Sequence, residues 1–199
     1  MKDASGSEFP KLPALRWADL GDGQHGFSLL NNSKYGYDDK DNVLRLSLLR
    51  SPTWPDPEAD RGHQHFTFAL YPHAGDWKQA LTVRRGYEYN YQLSAIQVLP
   101  HSGSLPASYS YVSVKPENVV LTALKKAEEE NGLIFRFYEW AGKSGDVQIH
   151  VPKGSSAATL TNLMEKAEGP ALQVSNDVVT APIHPYEILT IRVDYPHQQ

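Results

Sequence analysis

The residues best suited to binding chemistry lie in one short polar loop, Asn31 to Tyr37. An amide side chain carries both a donor and an acceptor, which suits sugar hydroxyls, and a tyrosine can stack on a sugar face while its hydroxyl still hydrogen-bonds. Glycine permits a backbone turn that other residues avoid. The loop is therefore a candidate site for a hydroxyl-rich ligand, and the candidate contact residues are Asn31, Asn32, Lys34, Tyr35 and Gly36. The competing interpretation is an ordinary turn, since Asn, Ser, Gly and Asp are common turn formers.

A second candidate for chemistry is the pair His63 and His65, the weak metal candidates of this sequence. Two histidines two residues apart on a strand share a face, as some zinc sites require. Three acidic residues lie just upstream and offer oxygen ligands, namely Asp56, Glu58 and Asp60. No further histidine stands nearby at a matching spacing, so we expect no metal site in this chain.

The aromatic residues suggest a third kind of site. The chain has eleven tyrosines, and Trp54, Trp77 and Trp140 are candidates for a platform on which sugars stack. Core and interface packing is the commoner role of such side chains. We expect that role for most of them.

Composition excludes several classes of function. The chain has 199 residues with 19 basic and 23 acidic side chains, a net charge of −4, which argues against a nucleic-acid partner because such binding needs a basic patch. The absence of cysteine excludes disulfides and thiolate zinc sites. No apolar run approaches the length of a membrane span, and the first residues lack the pattern of a signal peptide. We expect neither a nucleic acid nor a membrane as a partner.

These loops must be positioned by strands, because short runs with period-two alternation recur along the whole chain. They are separated by Gly, Ser, Asn and Asp turns. About ten or more short strands predict an all-β fold, an antiparallel sandwich of two packed sheets of the supersandwich type. The predicted strands include the stretches around 27–30, 43–50, 66–70, 76–83, 87–93, 109–114, 133–140, 147–151, 158–163, 172–174, 178–182 and 188–193.

One segment, residues 118–131, fits two structures. The spacing of Val119, Val120, Leu121 and Leu124 suits a helix that ends at Gly132. The alternative is a strand that turns at Asn131–Gly132 and pairs with the aromatic-rich run that follows. We favour the two strands because the partner run lies directly across the turn.

Three ordered stretches carry a family resemblance: HGFSLLNNSKYGYD, then NVLRLSLLRSPTWPDPEAD, then HQHFTFALYPHAGDW. Later stretches such as SVKPENVVL, FRFYE and PYEILT continue it. Together they resemble the C-terminal β-domain of glycoside hydrolase family 38 α-mannosidases, particularly the branch of cytosolic and bacterial enzymes. The resemblance runs from Leu15 to Tyr195, nearly the whole chain. It favours a cytoplasmic location, which the residues themselves leave open.

The resemblance implies a division of labour. Enzymes of this family cleave α-mannosidic bonds with retention, which requires a nucleophile and an acid roughly 5 Å apart, and they use zinc. Those groups belong to a large N-terminal catalytic module that does not occur in this sequence, so we expect no catalytic residue and no cofactor here. The chain is expected to support that module, its partner, to line the cleft for the α-mannoside substrate with loop 31–37, and to be inactive alone. The alternative is an autonomous carbohydrate-binding module.

The domain organisation follows from the same observations. Residues 1–14 are expected to be a tail or linker, or in part residues left by cloning, and residues 15–199 the β-sandwich domain. Two small lobes with a break near 141–146 are the open alternative.

Overall fold

The structure, a computed structural model, describes residues 11–129 and 131–196. These residues form two compact units that divide between Leu99 and Pro100. Residues 141–146, where the sequence suggested a break, lie inside the second unit. The first ten residues of the predicted tail lie outside the described part, and Lys11–Pro13 of that tail form a strand.

The first unit contains two three-stranded antiparallel sheets and one helix. Its strands are β1 (Lys11–Pro13), β2 (Trp17–Gly21), β3 (His25–Asn31), β4 (Gly36–Lys40), β5 (Val43–Leu46) and β6 (Phe68–Ala74). One sheet has the order β1-β4-β5 and the other β2-β3-β6. Strand β3 leads into β4 through residues 32–35, so the predicted contact loop joins the two sheets. Residues 47–67 have no regular secondary structure.

Helix α1 (Thr82–Asn90) corrects the sequence interpretation, which placed strands at 76–83 and 87–93. The buried residues Thr82, Val83 and Gly86 recur at helical spacing. A Cβ atom on Gly86 would lie 2.9 Å from Cδ1 of Trp17, so glycine allows the helix to approach strand β2. The alternation of Tyr87, Tyr89 and Tyr91 imitates a strand, yet the helix packs against the sheet through other positions.

The second unit is a two-sheet sandwich. Its strands are β7 (Ser113–Lys115), β8 (Val119–Lys126), β9 (Gly132–Glu139), β10 (Gly145–His150), β11 (Ala157–Thr161), β12 (Ala167–Ala171), β13 (Gln173–Ser175), β14 (Val178–Ile183) and β15 (Ile188–Asp194). A five-stranded sheet has the order β12-β11-β15-β9-β8, and a four-stranded sheet has the order β13-β14-β10-β7. The predicted strand at 109–114 is confirmed only at its end, since β7 begins at Ser113.

The core of this unit lies between the two sheets. Alternate residues of each strand point inward, and the fully buried side chains come from both sheets, among them Phe135, Phe137, Ile191, Val147, Ile149 and Val179. Strands β8 and β9 pair directly, which confirms two strands rather than a helix at 118–131. The prediction of an all-β antiparallel sandwich is confirmed.

No helix of the described residues has the length and apolar character that crossing a membrane requires.

Candidate functional site

Asn31 makes several of the hydrogen bonds that hold the predicted contact loop. It is fully buried, with 0% of its surface exposed, and its Nδ2 donates to the Tyr37 hydroxyl at 2.7 Å. Its Oδ1 accepts from the Lys34 amide at 3.0 Å, and its carbonyl accepts from Asn90 Nδ2 at 3.0 Å. Tyr37 in turn donates to the Leu29 carbonyl at 3.0 Å, and burial raises the pKa of the Tyr37 phenol. The Asn31 side chain therefore holds the loop in place and is not presented to a ligand.

The other four predicted residues lie at or near the surface. Asn32, Tyr35 and Gly36 are exposed, with Tyr35 at 48%, and Lys34 is half-buried with its Nζ 4.9 Å from the centre of the Phe66 ring. Ser33, between them, has a φ of 63°, in the left-handed region that few non-glycine residues adopt. This loop therefore presents an amide, an amine and a phenol in one fixed arrangement.

A second group of residues lies at the same end of the β2-β3-β6 sheet. The Asn31 amide donates to the Arg16 carbonyl at 2.8 Å, which brings the residue before β2 next to the loop. The Arg16 guanidinium carbon lies 4.3 Å from the centre of the Tyr87 ring and 5.9 Å from that of Tyr91. Cation and aromatic face attract one another at such distances. Helix α1, β2 and β3 thus place aromatic, amide and guanidinium groups around one point.

Sequence reasoning missed Arg16, Tyr87, Asn90 and Tyr91, because it assigned the tyrosines to a strand. The available signal was their spacing of four residues, which puts Tyr87 and Tyr91 on one side of a helix. Their rings are nearly parallel, at 11°, with centres 5.9 Å apart.

The other predicted candidates do not come together. His63 and His65 lie exposed in the segment without regular structure, and the described residues contain no group of three or more metal-binding side chains. Of the tryptophans proposed as a platform, Trp54 is 83% exposed and Trp140 only 6%. Trp77 packs against Trp17 with ring centres 5.3 Å apart. Only Trp54 offers an open face.

A serine, a histidine and an aspartate meet beneath helix α1. His73 Nε2 lies 2.7 Å from Asp19 Oδ2 and 3.2 Å from Ser28 Oγ, while Ser28 Oγ also donates to Asp19 at 2.6 Å. In a nucleophilic triad the carboxylate and the hydroxyl occupy opposite ring nitrogens, but here both meet Nε2. Ser28 is fully buried and lies 2.9 Å from the Thr82 hydroxyl. The cluster therefore joins the helix to the sheet and is not built for catalysis.

Among the described residues of the second unit, one carboxylate is buried, that of Glu139, which is 1% exposed. Its Oε1 accepts from Asn118 Nδ2 and the Ala141 amide, both at 2.7 Å. Its Oε2 accepts from the amides of Gly142 at 2.7 Å and Tyr186 at 3.0 Å. Burial alone would raise its pKa, but these four hydrogen bonds outweigh that effect and lower the pKa of Glu139. All its acceptor positions are engaged, so the residue ties three loops together rather than acting as an acid.

Two models of one family match this chain. Residues 118–191 match the glycosyl hydrolases family 38 C-terminal beta sandwich domain, and residues 2–58 match the glycosyl hydrolases family 38 C-terminal domain. The first match lies in the second unit and the second match in the first unit.

The chain is also similar in sequence to curated alpha-mannosidases. The chain is 40% identical over 159 residues to alpha-mannosidase 2C1 of Mus musculus, covering 78% of this chain and 15% of that protein. It is 36% identical over 184 residues to the Homo sapiens alpha-mannosidase 2C1, covering 89% of this chain and 17% of that protein. The chain thus spans about a sixth of the length of these relatives.

Among solved structures, an alpha-mannosidase from Enterococcus faecalis V583 has a similar fold. The two superpose with a TM-score of 0.74 at 23% identity, covering 96% of this chain and 22% of the other. At that identity the likeness concerns the fold.

Proposed function

The chain belongs to the C-terminal region of glycosyl hydrolase family 38, and we propose that it serves as the accessory β-domain of a retaining, zinc-dependent α-mannosidase. In this role it docks against a catalytic module, supports it, and contributes loop 32–36 to the rim of the substrate cleft. Cleavage of the α-mannosidic bond is carried out by that module.

The observation that carries the proposal is a run of solvent-exposed apolar side chains near the C-terminal end of the first unit. Leu93 is 100% exposed, Ile96 86% and Leu99 85%. Burying a side chain of this kind stabilises a protein by about 1.5–3 kcal/mol, and soluble proteins rarely leave such a set open. From 92 to 99, the backbone also makes no hydrogen bond to the backbone of another described residue. This segment, residues 93–99, is suited to packing against another protein surface.

A second apolar surface lies on the face of the β2-β3-β6 sheet opposite helix α1. Phe68 and Leu70 of β6 are 48% and 61% exposed, and Phe27 of β3 is 38% exposed. The register pairs Asn31 with Phe68 and Leu29 with Leu70, so these residues share one face. Strand β6 is also an edge strand, with one side available for further contacts.

The donor groups in the described part of the chain do not fit a zinc site. His63 and His65 lack a third protein ligand within the described residues, and a catalytic zinc uses three. We assign the zinc of the proposed parent enzyme to the catalytic module. No step of the reaction is assigned to residues of this chain.

Association with a catalytic module tests the proposal directly. The mouse relative, expressed without the region that matches this chain, provides such a module. We expect the purified chain to bind it and to raise its thermal stability. The triple variant Leu93→Ser, Ile96→Ser, Leu99→Ser should fold like the unchanged chain, because exposed side chains contribute little to its own stability, yet lose the association.

Met164→Ser is the matched control, since Met164 is 77% exposed but lies on a different loop. Failure of the unchanged chain to associate, or equal binding by the triple variant, would contradict the docking role. Light scattering of the chain alone separates a further outcome, in which a second copy covers the apolar segment and the catalytic module does not.

The isolated chain should not hydrolyse p-nitrophenyl α-mannoside, with or without added zinc. The measurement requires protein from a host strain that lacks α-mannosidase. Turnover that copurifies with the chain and survives that precaution would refute the division of labour.

A further inference from the structure

We infer that Arg16, Asn32, Asn90 and Tyr91 form a carbohydrate-binding site of their own at one end of the β2-β3-β6 sheet. The ligand class is a neutral pyranoside. The site adds to the proposed cleft-edge loop a group of residues on its helix side, and only the choice of a mannoside as probe rests on the proposed function.

The four residues are brought together by backbone contacts. Asn31, which immediately precedes Asn32, donates its amide to the Arg16 carbonyl at 2.8 Å and accepts from Asn90 Nδ2 at 3.0 Å. Asn90 Nδ2 also donates to the Gly86 carbonyl at 2.8 Å, which fixes its side chain against the helix. Three separate elements therefore meet at Asn31.

The polar groups at this point remain available. No described residue accepts a hydrogen bond from the Arg16 guanidinium, and no described carboxylate lies within 4.0 Å of it. Among the described residues, Asn90 Oδ1 and the Tyr91 hydroxyl likewise have no partner. Within the described ranges, Asn32 uses only its Oδ1, which accepts from Ser33 at 3.0 Å, so its two amide protons are available as donors.

These groups are also held rigidly. Arg16 has a φ of 70°, a conformation that costs a non-glycine residue about 1–2 kcal/mol, and its guanidinium lies on the Tyr87 ring. Tyr91 stacks nearly parallel to Tyr87 and is 64% exposed. Backbone strain of this kind persists where surrounding contacts enforce it and often marks a binding site.

The ordinary role of Arg16 would be to balance the negative C-terminal end of helix α1. That role explains a cation at this position but not the available amides or the exposed tyrosine beside it. The same helix end disfavours an anionic ligand. A neutral sugar, with hydroxyls for the amides and guanidinium and an apolar face for Tyr91, matches the whole set.

Titration of the ¹⁵N-labelled chain with methyl α-mannoside tests the inference. We expect saturable shifts of amide resonances at 16–17, 32–35 and 86–92, with a dissociation constant of about 1–10 mM. Tyr91→Ala should weaken binding by about tenfold or more, and Arg16→Gly should do the same. Glycine adopts the φ of position 16 without strain, so that variant keeps the backbone.

Tyr109→Ala is the matched control, because Tyr109 is 66% exposed and belongs to the other unit; it should bind like the unchanged chain. Absence of saturable shifts, or unchanged affinity in the Tyr91 and Arg16 variants, would overturn the site. Either result leaves the docking experiment unaffected. Conversely, sugar binding without association to a catalytic module would retain the site and refute the accessory role.

Discussion

Replacing Glu139 by glutamine should weaken the second unit strongly, although the two side chains have the same shape. In the native protein each carboxylate oxygen accepts two hydrogen bonds. Glutamine keeps one oxygen and replaces the other with a donor, so in either orientation two of the four N–H groups face another N–H. A buried donor without a partner costs about 1–3 kcal/mol. Part of this cost is offset because the neutral amide is easier to bury than a charge, so we expect a net loss of about 2–4 kcal/mol.

The effect should depend on pH in a defined direction. The folded-state pKa of Glu139 is lowered, whereas an unfolded chain has a glutamate pKa of about 4.3. The carboxylate therefore stabilises the fold fully above that value, and its contribution is lost as pH falls through the folded pKa. The glutamine variant lacks this group, so the stability difference between the two proteins should be largest near neutral pH and shrink in acid.

Native-state hydrogen exchange provides the assay, since it reports the free energy of opening separately for each unit. The informative amides are those of Ala141, Gly142 and Tyr186, which donate to Glu139. Glu168→Gln is the control, because Glu168 is exposed and, of the residues that the structure describes, only Asn162 donates to it. We expect a change below about 0.5 kcal/mol. A Glu139→Gln protein as stable as the control, or a difference that does not decline in acid, would refute this reasoning.

Three further changes have defined outcomes. Gly26→Ala should lower the free energy of unfolding by about 1–3 kcal/mol in a denaturant titration, because its Cβ would lie 2.3 Å from Cε1 of His73. The control is Gly145→Ala, whose Cβ would have no atom within 4 Å and which should leave the free energy of unfolding nearly unchanged. Asn31→Ala should cost about 2–4 kcal/mol and speed hydrogen exchange in the loop that follows, whereas unchanged exchange would show that the loop is held by other contacts. Burial raises the pKa of Tyr195 to about 12. Its neutral form therefore stabilises the fold fully below the ordinary tyrosine pKa of about 10, and this contribution is lost as pH rises toward 12. In Tyr195→Phe the alkaline loss of stability should be smaller, and an unchanged alkaline profile would contradict this.

The sandwich was predictable from the sequence because its strands alternate cleanly. In the run that became β9, Phe135 and Phe137 are apolar and buried, whereas Arg136 and Tyr138, the residues that follow each of them, are half-buried. The partner strand was less clear, because residues 118–131 also fitted a helix, and its place directly across the turn favoured the strand. In β9 the local sequence pattern and the tertiary packing favour the same structure, so the pattern alone was enough to predict this strand.

The helix was not predictable in the same way. Tyr87, Tyr89 and Tyr91 alternate as in a strand, and aromatic residues favour strands. What decides the structure is a contact that sequence does not display, the space above Gly86 into which Trp17 fits. Tertiary contacts overrode local preference, and the residues of the proposed sugar site were missed for the same reason.

The contact loop illustrates a different limit. Composition identified the asparagines of residues 31–32 as amides suited to sugars. Because the two side chains are chemically identical, composition does not show which of them faces a ligand. The fold does: Asn31 ends strand β3 with its side chain toward Tyr37, whereas Asn32 lies one residue beyond, where the chain leaves the sheet. Adjacent residues of a strand face opposite sides, so one amide became the support and the other the surface. A site built from such a loop therefore needs both kinds of residue, and mutation of the buried one should disturb ligand binding through position alone.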